Sequence, residues 1–329
     1  YLIYISKKDI KIITIVSDII KIILISSFIV FLFWSSTHED ILNKPYQLIQ
    51  WSFDRGWGWP FVFINGEVFN SNQIPKSYIF QNLLFKTPEY ILFLYLIFFI
   101  LIFKITKYCN LFIFKFNSKI IFIFANILFP SALLFISPYS IYDGLRLFIY
   151  ILPYFSIIPA IVIYYLYKNL RNVLNKILLI FLLIFKIYYL YIFFILTPYH
   201  YTYLNLFTGD FSQAHTKFEN DYWGTSLKEL SIKIENNRVL SSKSYVKFSI
   251  CGVGKGSVKY YLNKIKNFNY KIVGENKNPD FIIIANRVLM DYDKKNSNQF
   301  ITCFDKYNNT SLVEVKRNGL VLSAVKNID

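Results

Sequence analysis

Long apolar runs alternate with polar, aromatic and lysine-bearing stretches over the first two thirds of the chain. Five runs have the length and apolarity of a bilayer span: Ile12 to Phe33, Tyr90 to Phe103, Ile120 to Ile136, Leu145 to Tyr167, and Ile177 to Leu196. The second is short unless it extends to Ile105. Asp18 and Lys21, inside the first, are spaced to pair along one helix face near its cytoplasmic end. Lys186 sits in the middle of the fifth and either snorkels or lines a polar interior.

Between the first two spans, residues 35–89 form a connection too long for a plain loop and too aromatic for a disordered one. The spacing predicts an interfacial amphipathic helix from Ile41 to Phe53, with Ile41, Leu42, Leu48, Ile49 and Phe53 on its apolar side. Two glycines and Pro60 then break it, and FVFINGEVF alternates like a hairpin around Asn65-Gly66. Pro75 and Pro88 bound the return to the membrane.

Past Gly224 the pattern is that of a small α/β domain. Thr225 to Ile234 and Val258 to Ile265 suit helices. Tyr245 to Cys251, Tyr270 to Val273, Phe281 to Ala285 and Phe300 to Phe304 suit strands. Ser311 to Val315 and Leu320 to Val325, around Asn318-Gly319, suit a closing hairpin. The expected fold is therefore an α-helical polytopic membrane protein, about five spans here, followed by a small extracytoplasmic α/β domain. The expected division is a transmembrane region over 1–197, with its long outer loop at 35–89, and the domain over 198–329.

Composition agrees with the membrane reading: 55% of the 329 residues are hydrophobic and 20% aromatic. The net charge of +16 invites a nucleic-acid partner, but its distribution argues against one. Residues 1–196 hold 17 basic and 8 acidic side chains, and no dense basic stripe forms. Lys7, Lys8 and Lys11, then Lys104, Lys107, Lys115 and Lys119, then Lys168, Arg171 and Lys176, fall on alternate connections and so share one face, the cytoplasm. The expectation is an integral protein of the inner (cytoplasmic) membrane with its C-terminal domain outside. The chain opens on Tyr1 rather than Met, as the later part of a longer protein would.

Several stretches carry candidate chemistry. CGVGKGS, from Cys251, sits between a strand and a helix but lacks the phosphate-loop spacing; it reads as a tight turn, although a helix N-terminus there could hold an anionic group of a lipid or sugar phosphate. Cys251 and Cys303 both fall in the outer domain, where a bridge is permitted, but two cysteines in predicted strands read more simply as buried apolar fillers. Cys109 falls in a cytoplasmic loop. His38, His200 and His215 are scattered; His38 with Glu39 and Asp40 could hold a cation but suits an exposed polar loop. No cofactor is demanded, and a divalent metal stays open with no visible ligand set. YDGLR places Asp143 and Arg146 at the outer mouth of two spans. Asp143 stands where a salt-bridged helix cap would, and equally Arg146 could pair with a lipid-carrier phosphate while Asp143 orients it. From Pro198 the chain leaves the membrane through residues such as Tyr199, His200 and Tyr201, suited to the headgroup layer, and Glu219, Asp221, Tyr222 and Trp223 follow within five residues.

These blocks resemble bacterial membrane glycosyltransferases of the GT-C superfamily, in the protein O-mannosyltransferase-like group. GWPFVFINGEVF with IPKSYIFQNLLFKTPEYIL is similar to that family's long outer loop. YDGLRLFIYILP resembles its Tyr-Asp-Gly-Leu-Arg-His element, with Leu147 where His is usual. PYHYTYLNLFTG resembles His-Pro-Tyr-x-Tyr-x-Tyr-x-Asn, with Thr197 replacing the His, and FENDYWGTSLKEL resembles Phe-Glu-x-Asp-Tyr-Trp-Gly-x-Ser. The resemblance covers most of residues 35–230 and implies sugar transfer from a polyprenyl-phosphate donor at the outer face, with inversion, onto a protein, lipid or glycan acceptor. The catalytic acid of that superfamily lies in a first outer loop, expected upstream of Tyr1. On this reading Tyr142, Asp143 and Arg146 structure the donor-phosphate end, and Glu219, Asp221, Tyr222 and Trp223 meet the acceptor or sugar, with membrane lipids around them and no nucleic acid. Glu219 and Asp221 could instead cap the helix that follows. The rival expectation is a non-catalytic membrane assembly or transport subunit whose outer domain binds a partner.

Overall fold

The computed structural model describes residues 12–34, 38, 40, 43–44, 46–47, 50, 61–71, 73–104, 117–136, 141–221, 223–285, 287–290 and 300–328. Among the described residues, four helices are long and apolar enough to cross a membrane, or five if one bent pair counts as a span. Helix α1 (Ile12–Phe33) carries the Asp18–Lys21 pair at 3.3 Å, and no residue of its apolar window is buried. Helix α2 (Tyr78–Lys86) meets α3 (Glu89–Lys104) at 113°. Pro88 accounts for the corner, because the residue before a proline is driven out of the helical region; Thr87 is extended, at φ −90° and ψ 135°.

Helices α4 (Asn117–Ile136), α5 (Leu152–Lys168) and α6 (Val173–Leu196) complete the apolar set. Asn172 caps α6 by accepting from Leu174 N at 2.9 Å. The fourth apolar run opens as a 3₁₀ turn, Arg146–Ile151, before α5 begins, with Pro153 in the first turn of that helix, where a proline costs no hydrogen bond. Leu94, Phe98, Ile123, Ile158, Val162 and Leu182 pack these helices into one cluster. Lys186 lies exposed on α6. Of the expected interfacial helix, Asn43, Lys44, Tyr46, Gln47 and Gln50 are helical, while its five apolar positions lie outside the described residues.

The hairpin in the 35–89 connection forms as its Asn-Gly signal requires. Strands β1 (Phe61–Ile64) and β2 (Glu67–Asn70) pair antiparallel, with Asn65 at φ 52° and Gly66 at φ 86° in the turn. The C-terminal part is a mixed five-stranded sheet in the order β4-β3-β5-β9-β8. Strand β3 (Val246–Cys251), helix α8 (Lys255–Leu262) and strand β4 (Tyr270–Ile272) make a parallel crossover. Strand β5 (Phe281–Ala285), buried at every position, pairs parallel with β3 and antiparallel with β9 (Leu320–Asn327), which turns back on β8 (Ser311–Arg317). Helix α7 (Leu227–Glu235) covers this sheet. A further pair, β6 (Val288–Met290) with β7 (Phe300–Thr302), replaces the longer strand expected up to Phe304; from Cys303 the chain turns helical instead.

Cys251 and Cys303 are joined in a disulfide with their Cα atoms 5.8 Å apart, so the reading of both as apolar fillers is corrected. Sequence alone missed it because the pairing depends on the turn after β7, which carries Cys303 N to within 3.0 Å of Arg287 O and so beside the end of β3. Gly252, at φ 73°, is demanded by the same closeness: a Cβ there would stand 2.5 Å from Ala285 O and 3.0 Å from Cys303 Sγ.

Val62, Tyr78 and Ile79 of the 35–89 connection share one buried cluster with Leu227, Phe248 and Val325 of the C-terminal part. Ile64 bridges to Phe218, and Gly66 N donates to Lys217 O at 3.1 Å.

Candidate functional site

The stretch after α6 acts first as a clamp. Asn205 donates through Nδ2 to Leu84 O at 2.6 Å and Thr87 O at 2.8 Å, satisfying carbonyls left open where α2 ends at the Pro88 corner. Glu89, almost fully buried, accepts from Tyr203 Oη at 3.0 Å and Leu206 N at 2.8 Å. Burial, then the Glu89 carboxylate, pushes the Tyr203 phenol up, so it stays a donor. Arg317, at the end of β8, donates to Thr197 O at 3.2 Å and pairs with Glu229 at 2.5 Å, while Tyr199 Oη donates to Glu229 at 3.0 Å. The Tyr-rich exit thus fastens α2 and the sheet to the end of α6.

At the corner sits a buried ion chain. Asp143 and Gly144 both take left-handed backbone, at φ 58° and 66°, which Asp tolerates and Gly adopts freely. That turn aims the Asp143 carboxylate inward, where one oxygen lies 3.3 Å from Arg146 Nη1 and the other 3.2 Å from Arg287 Nη1. Arg287 Nη1 lies 3.7 Å from Glu219 Oε2, and Asp143, Arg287 and Glu219 side chains are each at most 9% exposed. Asp143 is salt-bridged but caps no helix: the Arg146–Ile151 turn begins at Leu145 without a side-chain cap.

Lys86 closes the inner end. Its stem is half-buried, and its ammonium lies over Gly144, where an added Cβ would stand 2.6 Å from Nζ. Burial pushes the Lys86 ammonium down to about 8, against the opposing pull of Glu219 and Asp143. The space between these groups is about 10 Å³, room for roughly one water. It is lined by Ile64, Tyr78, Asn82, Phe218 and Glu219 beside the Asp-Gly turn, with Gly144 N donating to Tyr78 Oη at 2.9 Å.

The outer end is Arg146, whose side chain is 44% exposed. Its guanidinium carbon lies 4.4 Å from the centre of the Trp223 ring, which covers one face. Tyr142 is partly buried against the main core.

The structure brings Asp143, Arg146, Glu219 and Trp223 together and sets Asp221 apart. Asp221 is fully buried and accepts from Thr225 N at 2.9 Å, Ser226 N at 3.0 Å, the hydroxyls of both, and Tyr201 Oη. It therefore caps the turn leading into α7 and ties that turn to the chain leaving α6. Tyr222 lies outside the described residues. Sequence reasoning missed Lys86 and Arg287. A lysine in a last helical turn reads as an ordinary dipole partner, and nothing local links Arg287 to a residue 144 positions away. No three His, Cys, Asp or Glu side chains among the described residues assemble as a metal site. Comparison with protein-family models, with curated proteins and with solved structures finds no match.

Proposed function

We propose that the chain is part of a membrane glycosyltransferase of the GT-C type, using a polyprenyl-phosphate-linked sugar at the outer membrane face. One observation carries the reading: blocks of the resemblance far apart in sequence meet around one cluster. Phe63 and Ile64, Tyr78 and Lys86, Asp143 and Gly144, and Phe218 and Glu219 all line the same small cavity, and the PYHYTYLN block fastens the corner beside it. Arg146 is the exposed end of an otherwise buried ion chain. Asp143 fixes it on one side and Trp223 covers one face, leaving donors that suit a phosphate. Asp143, Arg287 and Glu219 position it, and Asp221 holds the fold. The disulfide fits an extracytoplasmic domain, since such bonds persist in oxidising compartments.

A second reading, an assembly or transport subunit without catalysis, draws support from one fact. Asp143, Glu219 and Asp221 all commit their carboxylates to internal partners. Sugar transfer by the full-length protein in membranes, from a radiolabelled polyprenyl-phosphate sugar, separates the two. Transfer by the parent, weakened in Arg146→Ala at equal expression, supports the enzyme. Absence of transfer with every lipid-linked sugar tried supports the subunit.

A further inference from the structure

A second concavity lies on the C-terminal sheet, away from the ion chain. It is a cleft of about 500 Å³ between α8 and the edge strand β4, a volume within the ~300–1,000 Å³ of small-molecule sites. Lys255 and Lys259 reach it from the helix and Lys271 from the strand, all three exposed. No acidic residue among the described ones lines it, and from Gly252 to Gly274 the sequence holds five lysines and no acid. Lysines alone would mark only a solvated face. Here the walls also carry aromatic rings, Tyr245, Phe268 and Tyr270. The Phe268 and Tyr270 rings stack at 24° with centroids 6.1 Å apart. Tyr270 Oη is held by Asn263 Oδ1 and by Lys259 O, so the ring is fixed.

We propose that this cleft binds an anionic saccharide, with the ring faces meeting the sugar and the three lysines its sulfate, phosphate or carboxylate groups. A bare anion would have no use for the aromatic walls, and a neutral sugar none for the lysines. A single-stranded nucleic acid would need a basic groove following several phosphates, whereas the charge here converges on one cleft. The far edge of the sheet, β8, is the one tied through Arg317 to Thr197, so the cleft opens at the opposite edge from the end of α6. The inference stands apart from the transfer reaction, because it concerns binding by the sheet domain alone.

The test is calorimetric titration of the full-length protein in detergent with a heparin-derived tetrasaccharide, beside maltotetraose, sodium sulfate and a single-stranded DNA oligonucleotide. The tetrasaccharide should bind, and maltotetraose should not. Combined Lys255→Gln, Lys259→Gln and Lys271→Gln should weaken it roughly tenfold to a hundredfold, as loss of three exposed ion pairs would. These positions are exposed, so the fold is retained, which circular dichroism verifies. Tyr245→Ala should weaken the tetrasaccharide while leaving the weak sulfate signal unchanged. Absence of tetrasaccharide binding, affinity unaltered in the triple variant, equal binding of maltotetraose, or DNA binding as tight would each overturn the proposal.

Discussion

At the residue scale, the informative feature is a difference between two arginines on one carboxylate. Arg287 is buried between Asp143 and Glu219, whereas Arg146 shares Asp143 but looks outward. Removing the buried guanidinium leaves Asp143 with Arg146 and takes a cation from beside buried Glu219. Arg287→Met should therefore cost about 3–5 kcal/mol, read as a lowered thermal midpoint in detergent, while Arg146→Ala should cost about 1 kcal/mol or less. Lys86 adds a pH dependence. Its folded pKa, about 8, lies below its ordinary value of 10.5, so between those values the unfolded chain binds more protons. Stability contributed by this group should rise as pH climbs from 8 to 10.5, and Lys86→Met should flatten that rise. A thermal-midpoint profile against pH of parent and variant checks this, and an unchanged slope in Lys86→Met would remove Lys86 as its source.

At the element scale, legibility followed locality. Asp143 and Arg146 were visible because three positions separate them, and both Asn-Gly hairpins because their turn chemistry is contiguous. The start of α3 was visible through Pro88, whereas the separate helix α2 before it was not foreseen. Arg287 and the Cys251–Cys303 bridge were not visible, since each depends on where separate strands end in space. Asp221 carried two expectations, an acceptor contact suggested by its neighbours Glu219 and Trp223 and a helix cap, and the backbone turns it into the protein as the cap. The disulfide closes a loop of 52 residues, so Cys251→Ala with Cys303→Ala should lower stability by about 2–4 kcal/mol. Denaturant titration under non-reducing conditions would measure it, and a matching drop on reduction of the parent should accompany it.

At the scale of the whole molecule, the 35–89 connection, the exit from α6 and the sheet share one packed core, and the apolar helices share another. This continuity explains why the ion chain can draw residues from four separate stretches, and why loss of one clamp, such as Asn205, would loosen a corner shared by all of them. On the proposed orientation, the lysine-bearing connections face the cytoplasm and Arg146 faces outward at the mouth of the helices. The most direct test of Arg146 as the phosphate partner is donor saturation in sugar transfer by the full-length protein in membranes, parent beside Arg146→Ala. Saturable transfer by the parent is expected, with KM for the lipid-linked donor raised roughly tenfold or more in the variant, the loss of one charge-assisted contact. An unchanged donor KM in Arg146→Ala would contradict that role, and no transfer by the parent from any lipid-linked sugar would contradict the enzyme itself.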